Sequence, residues 1–412
     1  MTPDAERGIQ GRSLVQLAGL ALPTLSTGLL RVNQLLVLIL AASLGQAGIE
    51  RDFLVTALGV MTAASIFSDS GSVNYILAAE RTALHRATYR TCIRTHIGLG
   101  ALGVMVALAV LAIRAAVGTP GPDVWIAILA VGLSQLGDSL LRVVRAPLLL
   151  AGRDAQFALP ELSLGAGKLG VLAATFFLES LLALIFLPAL SIIGVVVTKM
   201  SVERRLDDGN AAGWPVAREV LRFGITGAAS GFYSQLPMIV AAASLPLSSS
   251  AMLAVAYRVT QPLELVPASL SQQVMPRMHR MRALLGRLWF AFALYGLGAS
   301  ALVLLGSDLL RAAFRIQSWD GTVLLIVASA LVMKSGSYLL AGALMVQGGI
   351  VQRLWVTLMA GGISVVLLTF AAVAKSPLGI AWVSPISEFA LMVGLALMIR
   401  GRTNGSDTHS FR

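Results

Sequence analysis

The sequence predicts an all-α polytopic membrane protein of about twelve transmembrane helices, arranged as two six-helix halves. Three observations carry that expectation. Of the 412 residues, 57% are hydrophobic and 12% charged, with a mean hydropathy of +0.82; a soluble protein carries about 25% charged residues. Twelve apolar stretches are long enough to cross a bilayer, which takes about 20 residues. Seven charged side chains nevertheless fall near the middle of these stretches: Arg31, Asp69, Asp138, Lys168, Glu264, Lys334 and Glu388. An ionised group at the bilayer centre costs roughly 2.5–3.5 kcal/mol even on the lenient insertion scale. Such residues are expected to face a bundle interior or a water-filled cavity, converging on one polar chamber between the halves.

The stretches cover 14–43, 53–79, 93–117, 123–151, 156–178, 180–199, 219–243, 249–275, 288–312, 320–346, 354–374 and 379–399. The first is too long for a cleavable signal peptide and lacks a small-residue cleavage site after a short apolar core. The longest hydrophilic connection, 201–218, divides the chain into an N-terminal lobe (1–210) and a C-terminal lobe (211–412). A faint repeat agrees. Asn33-Gln34 precedes an apolar run ending Ala41-Ala42-Ser43-Leu44, and Ser234-Gln235 precedes one ending Ala242-Ala243-Ser244-Leu245, half a chain later. Parallel repeats are a known plan for transporters, with sites at the repeat interface. Pro23, Pro188, Pro237, Pro262, Pro267 and Pro385 interrupt spans. Each is expected to kink its helix by removing a backbone hydrogen bond, as either a hinge or a static bend. The plentiful glycines serve close helix packing.

A net charge of +11 and a pI near 10.6 do not indicate a nucleic-acid partner. With both termini cytoplasmic, the inner loops and tails hold 20 of the 31 Lys/Arg residues. The outer side holds five (Arg51, Arg114, Arg311, Arg315 and Lys375), and the other six lie within spans. This asymmetry follows the positive-inside rule and sets orientation in a cell membrane. One cysteine, Cys92, excludes an internal disulfide and any multi-cysteine metal site. The four histidines form no ligand cluster. No Gly-rich phosphate loop, metal-ligand spacing or serine elbow is present, so neither a cofactor nor an enzymatic activity is expected.

The interior charges are uneven. In the N-terminal half Arg31 lies near mid-membrane with Gln34 one turn further on the same face. Asp138, Arg142 and Arg145 follow i, i+4, i+7 spacing and form a stripe along one helix. With Lys168, four cations face three carboxylates (Asp69, Asp138 and Glu161), an excess that suits an anionic group. Arg binds phosphate through a planar fork. The plainer readings are an intrahelical Asp138–Arg142 ion pair and an Arg145 that snorkels to the inner interface. The C-terminal half holds Arg258, Glu264, Lys334 and Glu388. Glu264 and Glu388 suit proton or sodium coupling, or else Glu388 pairs with Lys334 and only fixes packing.

These features resemble the polysaccharide-biosynthesis flippases of the multidrug/oligosaccharidyl-lipid/polysaccharide exporter superfamily. The first span runs into Ser43-Leu44-Gly45, and the second ends in Asp69-Ser70-Gly71, similar to the family's Asp-x-Gly element. The eighth carries Val255-Ala256-Tyr257-Arg258 and then Val274-Met275-Pro276-Arg277 ahead of a basic inner loop. The resemblance covers essentially the whole chain in helix count and spacing. It implies a monomer with two lobes around a central cavity, rocking to move a polyprenyl-diphosphate-linked oligosaccharide from the inner to the outer leaflet. Arg31, Gln34, Arg142, Lys168 and Arg258 would then meet the substrate. Asp69, Asp138, Glu264, Lys334 and Glu388 would serve ion coupling, to H+ or Na+, or charge pairing. The chain is short for the superfamily, with twelve spans where lipid II flippases have fourteen. It also lacks an acidic residue in the first and seventh spans, where drug-exporting relatives often place a coupling carboxylate. A cation-coupled small-molecule exporter of the same fold is the alternative. A glycan polymerase or ligase is disfavoured, because every outer loop is short.

Replacing Arg31 with Ala is expected to abolish glycan export while membrane abundance of the protein stays unchanged; normal export by that variant would remove Arg31 from the pathway.

Overall fold

The computed structural model describes residues 26, 28–30, 32–45, 49–64, 71–78, 84–115, 120–151, 153–209, 213–274, 284–316, 319–347 and 349–406. Arg31, Asp69, Ser70, Pro23 and Met275-Pro276-Arg277 lie outside the described residues. Every regular element among the described residues is helical. In chain order these are α1 (Gly28–Leu44), α2 (Ile49–Ala64), α3 (Ser72–Ala78), α4 (Arg86–Ala115), α5 (Pro122–Leu150) and α6 (Asp154–Phe177). A 3-10 turn (Leu181–Ile185) then leads into α7 (Phe186–Glu203). The second half holds α8 (Trp214–Ser244), α9 (Leu247–Val274), α10 (Leu285–Leu305), α11 (Ser307–Phe314), α12 (Gly321–Val346), α13 (Ile350–Val373) and α14 (Pro377–Ser406). Eight of them are long and apolar enough to span a membrane, counting the 3-10 turn and α7 together. The remaining spans, α1, α2–α3, α8 and α9, occupy equivalent places in the two halves and include the elements that join them.

Local chemistry explains several boundaries. Pro122 opens α5 at a position whose N–H has no helical partner. Asp320 caps α12 by accepting from the Thr322 N–H at 2.8 Å. Gly71, at φ 76°, precedes α3. The ninth span divides at Gly306 into a spanning helix and the short amphipathic α11. Pro237, Pro262, Pro267 and Pro385 lie inside helices, as expected. Pro188 does not interrupt one. It sits in the first turn of α7, where no backbone hydrogen bond is lost.

The duplication that is faint in sequence is plain in the turns. The α6–α7 and α13–α14 connections each place a non-glycine residue in the left-handed region, Glu179 at φ 49° and Lys375 at φ 48°. In each, the following serine N–H bonds back five residues along the chain, Ser180 to the Thr175 carbonyl and Ser376 to the Ala371 carbonyl. Each half is built around one hub helix, α5 or α12, the two most deeply buried spans. The hub packs against the last helix of its half, α7 or α14.

The apolar cores show how the halves meet. One cluster contains Phe53, Leu54, Leu58 and Ile128 of the first half together with Met238, Leu253, Val255 and Leu324 of the second. Its members come from the helix ends near the α1–α2, α4–α5, α8–α9 and α11–α12 connections. At the opposite end two smaller cores form: Ile76, Tyr89, Leu141 and Val144 of the first half together with Val220 of α8, and Tyr233, Phe292, Leu340 and Leu395 of the second half. The halves therefore share a large hydrophobic core at one end, and at the other α8 also joins the first half's core against α3 and α4.

Close approach depends on single glycines. A Cβ on Gly296 of α10 would lie 2.6 Å from the Leu331 carbonyl oxygen of α12, and Ser300 one turn on donates to the Ala328 carbonyl at 2.6 Å. Gly298, two residues away, faces open space. Gly296→Ala is expected to destabilise the protein by about 1–3 kcal/mol through overpacking against rigid backbone. Gly298→Ala should be neutral or slightly stabilising. Thermal midpoints of the two variants in one detergent check the contrast.

Candidate functional site

The interior charges resolve into separate networks, one set in each half. In the first half, α5 presents Asp138 to Lys168 of α6, N–O 2.5 Å, with both side chains about 95% buried. Lys168 also donates to the Ser134 hydroxyl at 2.6 Å, and the Ser191 hydroxyl of α7 donates to Asp138 at 3.1 Å. This packing needs Gly137, since a Cβ there would lie 2.5 Å from Cβ of Ser191. One turn away Gln135 donates to Thr62 of α2 at 2.5 Å, and Asn33 of α1 donates to the Gly165 carbonyl at 2.8 Å.

These polar groups border a cavity holding about 320 Å3 of empty space, its open mouth included. Asn33, Gln34, Ser134, Gln135, Asp138 and Lys168 line it with five apolar residues, Leu30, Val37, Val131, Leu172 and Leu187. All of these belong to the first half. The structure thus brings Gln34, Asp138 and Lys168 together at a cavity inside the first lobe. Asn33 and Ser134 at its wall were not singled out as ligand groups from the sequence, because buried serines and asparagines are common in membrane helices.

Asp138 pairs with Lys168 and not with Arg142. The cross-helix ammonium, with the Ser191 hydroxyl, satisfies the carboxylate more completely than a guanidinium on the same helix. Arg142, half-buried, lies near His96 of α4 instead. Its Nε has no hydrogen-bond partner among the described residues. Arg145 does not snorkel. It is about 1% exposed, paired with Glu161 at 2.5 Å, donating to the Phe157 carbonyl at 3.0 Å and stacked 4.0 Å over the Phe157 ring. Ser26 of the first span donates to Glu161 at 2.5 Å. With partners at the guanidinium tip and a ring over its face, the side chain gains nothing by extending to water.

In the second half Lys334 of the hub α12 pairs with Glu264 of α9, N–O 2.7 Å. Glu388 of α14, 4% exposed, accepts from the Tyr233 hydroxyl of α8 at 3.1 Å and lies within electrostatic reach of Lys334 and Glu264. The ion pair therefore forms with Glu264, whereas the plainer reading has Glu388 as the partner. Arg258 belongs to neither network. Its Nη1 donates to Gln261 at 2.7 Å and its Nη2 crosses to the Gly59 carbonyl of α2 at 3.0 Å. Gly59 leaves no room for a side chain, with Ala254 Cβ 2.9 Å from where its own would stand. No group of three or more metal-ligating side chains occurs among the described residues.

No protein-family model matches the chain, and no curated protein matches it in sequence. Solved structures do match in fold. A multidrug resistance MATE family transporter of the MOP superfamily, in an inward-facing conformation, superposes with a TM-score of 0.64 at 15% identity, over 92% of this chain and 95% of the other. The lipid II flippase MurJ, in an inward closed conformation, gives 0.67 at 13% identity, over 92% and 87%. A MOP superfamily transporter from Pyrococcus furiosus, described as having a binding pocket of reversed polarity, gives 0.55 at 12%, over 94% and 95%. The chain shares the fold of these transporters. It is a twelve-helix, two-lobed membrane protein.

Lys168→Met strands Asp138 in the interior and is expected to cost about 3–5 kcal/mol, while Asp138→Leu together with Lys168→Met recovers most of that loss. A double-mutant cycle on unfolding midpoints in detergent measures it.

Proposed function

We infer that the protein is an alternating-access flippase that carries a polyprenyl-diphosphate-linked oligosaccharide from the inner to the outer leaflet for cell-surface polysaccharide synthesis. The observation that carries this reading is how the unpaired charge divides between the lobes. In the first half Asp138–Lys168 and Arg145–Glu161 neutralise each other. Arg142 has no carboxylate partner among the described residues, so the half keeps a surplus cation. In the second half Lys334–Glu264 cancels and Glu388 is left with a neutral tyrosine. A surplus guanidinium one helical turn along α5 from the cavity-lining Asp138 suits a diphosphate, and a carboxylate held by a hydroxyl suits coupling to a proton or sodium ion.

Orientation follows from the Lys/Arg distribution, with both termini inside. The end where the halves share their larger core is then the outer one. Substrate entering from the inner leaflet would meet Gln34, Lys168, Arg142 and Arg31. Arg258, spent on Gly59 and Gln261 here, would be released once the lobes part at the outer end. Asp69 and Asp138 complete the first lobe's ionic set.

The second reading, a cation-coupled small-molecule exporter, draws on the pairing of Lys168 and Lys334 with carboxylates, which lowers the positive potential that an anion would feel. Proteoliposome assays separate the two. With a fluorescent polyprenyl-diphosphate oligosaccharide as substrate, Arg142→Gln is expected to slow flipping roughly tenfold, since a charged hydrogen bond contributes about 1.5–3 kcal/mol. Glu388→Gln should remove the response to an imposed proton or sodium gradient. Dye efflux without lipid flipping would favour the exporter.

A further inference from the structure

Two arginines outside both charge networks join the halves at the end where their cores merge. Arg51, near the start of α2, donates from Nη2 to the Gly45 carbonyl at the end of α1 at 3.1 Å, and from Nη1 to the Arg315 carbonyl just past α11 at 3.0 Å. Arg114, in the last turn of α4, donates to the Leu245 carbonyl that ends α8. Thr56 of α2 reaches the Leu247 carbonyl at 3.5 Å beside it. Among the described residues neither arginine makes an ion pair. Their acceptors are neutral carbonyls at helix C-termini, where the helix dipole favours a cation. The segment that Arg51 holds is anchored in turn, because Phe314 (0% exposed) and Ile316 (6%) flank Arg315 and insert into the shared core.

We propose that Arg51 and Arg114 are the clamp that holds the outer end of the two lobes shut, each bridging from the first half to a helix C-terminus of the second. The clamp rests on the alternating-access reading and adds to it the residues that set the resting state. An ion pair pulled apart would leave an anion to desolvate again on each closure. Carbonyls at helix ends are readily hydrated when the clamp releases, so this closure is reversible at low cost.

The test reads the gate directly and needs no substrate. Ala254→Cys places a thiol in the closed interface opposite Gly59. Native Cys92, buried in the core around α4 and α5, serves as the reporter of unfolding. A membrane-impermeant maleimide is applied to right-side-out vesicles carrying the full chain. In the Ala254→Cys parent, both thiols should stay unlabelled. Adding Arg51→Gln and Arg114→Gln should raise labelling at position 254 roughly tenfold with Cys92 still protected, since each cation at a helix C-terminus shifts the balance severalfold. Unchanged labelling at 254 in the folded double variant overturns the proposal. If Cys92 also labels, Arg51→Lys and Arg114→Lys decide: they keep a cation at each carbonyl, and intermediate labelling at 254 supports the clamp while none overturns it. Because labelling is independent of cargo, a gate that opens in a variant with no effect on glycan transport would uphold the clamp and defeat the flippase reading instead.

Discussion

A charge cannot be left alone inside a bundle of membrane helices, and that constraint organises this protein. Isolated ions in a low-dielectric interior are so unfavourable that each must find a partner of opposite sign and further hydrogen bonds. Asp138–Lys168 satisfies that demand in one lobe and Lys334–Glu264 in the other. Each pair ties a hub helix to a neighbour, so the pairs set the rotation of α5 and α12 about their own axes. The serine hydroxyls around Asp138 and the close α5–α7 approach at Gly137 depend on that rotation.

Once those pairs are formed, the groups that remain unneutralised stand out. Arg142 and Glu388 lie in different lobes and have opposite sign. A protein whose interior charges served packing alone would be expected to neutralise them too. Among the described residues an unneutralised cation thus remains in one lobe and a carboxylate against Tyr233 in the other, while the lobes stay linked through their common core.

That common core is the second organising feature. The larger apolar contact between lobes lies at one end, where α2 packs on α9 and Gly59 admits Ala254. At the other end α8 lends Val220 to one of the two smaller cores and Tyr233 to the other. The polar contacts between lobes at the merged end are mostly to backbone carbonyls, which water can replace. Such an interface is suited to repeated opening in a way that a continuous core is not.

Much of the fold was legible in the chain because hydropathy and span length are local properties. The twelve spans, their order and the interior placement of Asp138, Lys168, Glu264, Lys334 and Glu388 follow from runs of neighbouring residues. Helical periodicity also put Asp138, Arg142 and Arg145 on one stripe, but a stripe is shared by residues whose partners differ. Which cation meets which carboxylate depends on how helices cross and turn toward each other. Only tertiary packing gave Asp138 to Lys168, turned Arg145 inward to Glu161 and chose Glu264 over Glu388 for Lys334. It also decided that the polar cavity lies within a lobe and that Arg51 and Arg114 reach across one end. The chain by itself determined what must be hidden from lipid. The packed structure decided what each hidden group touches, because those contacts join residues far apart in sequence.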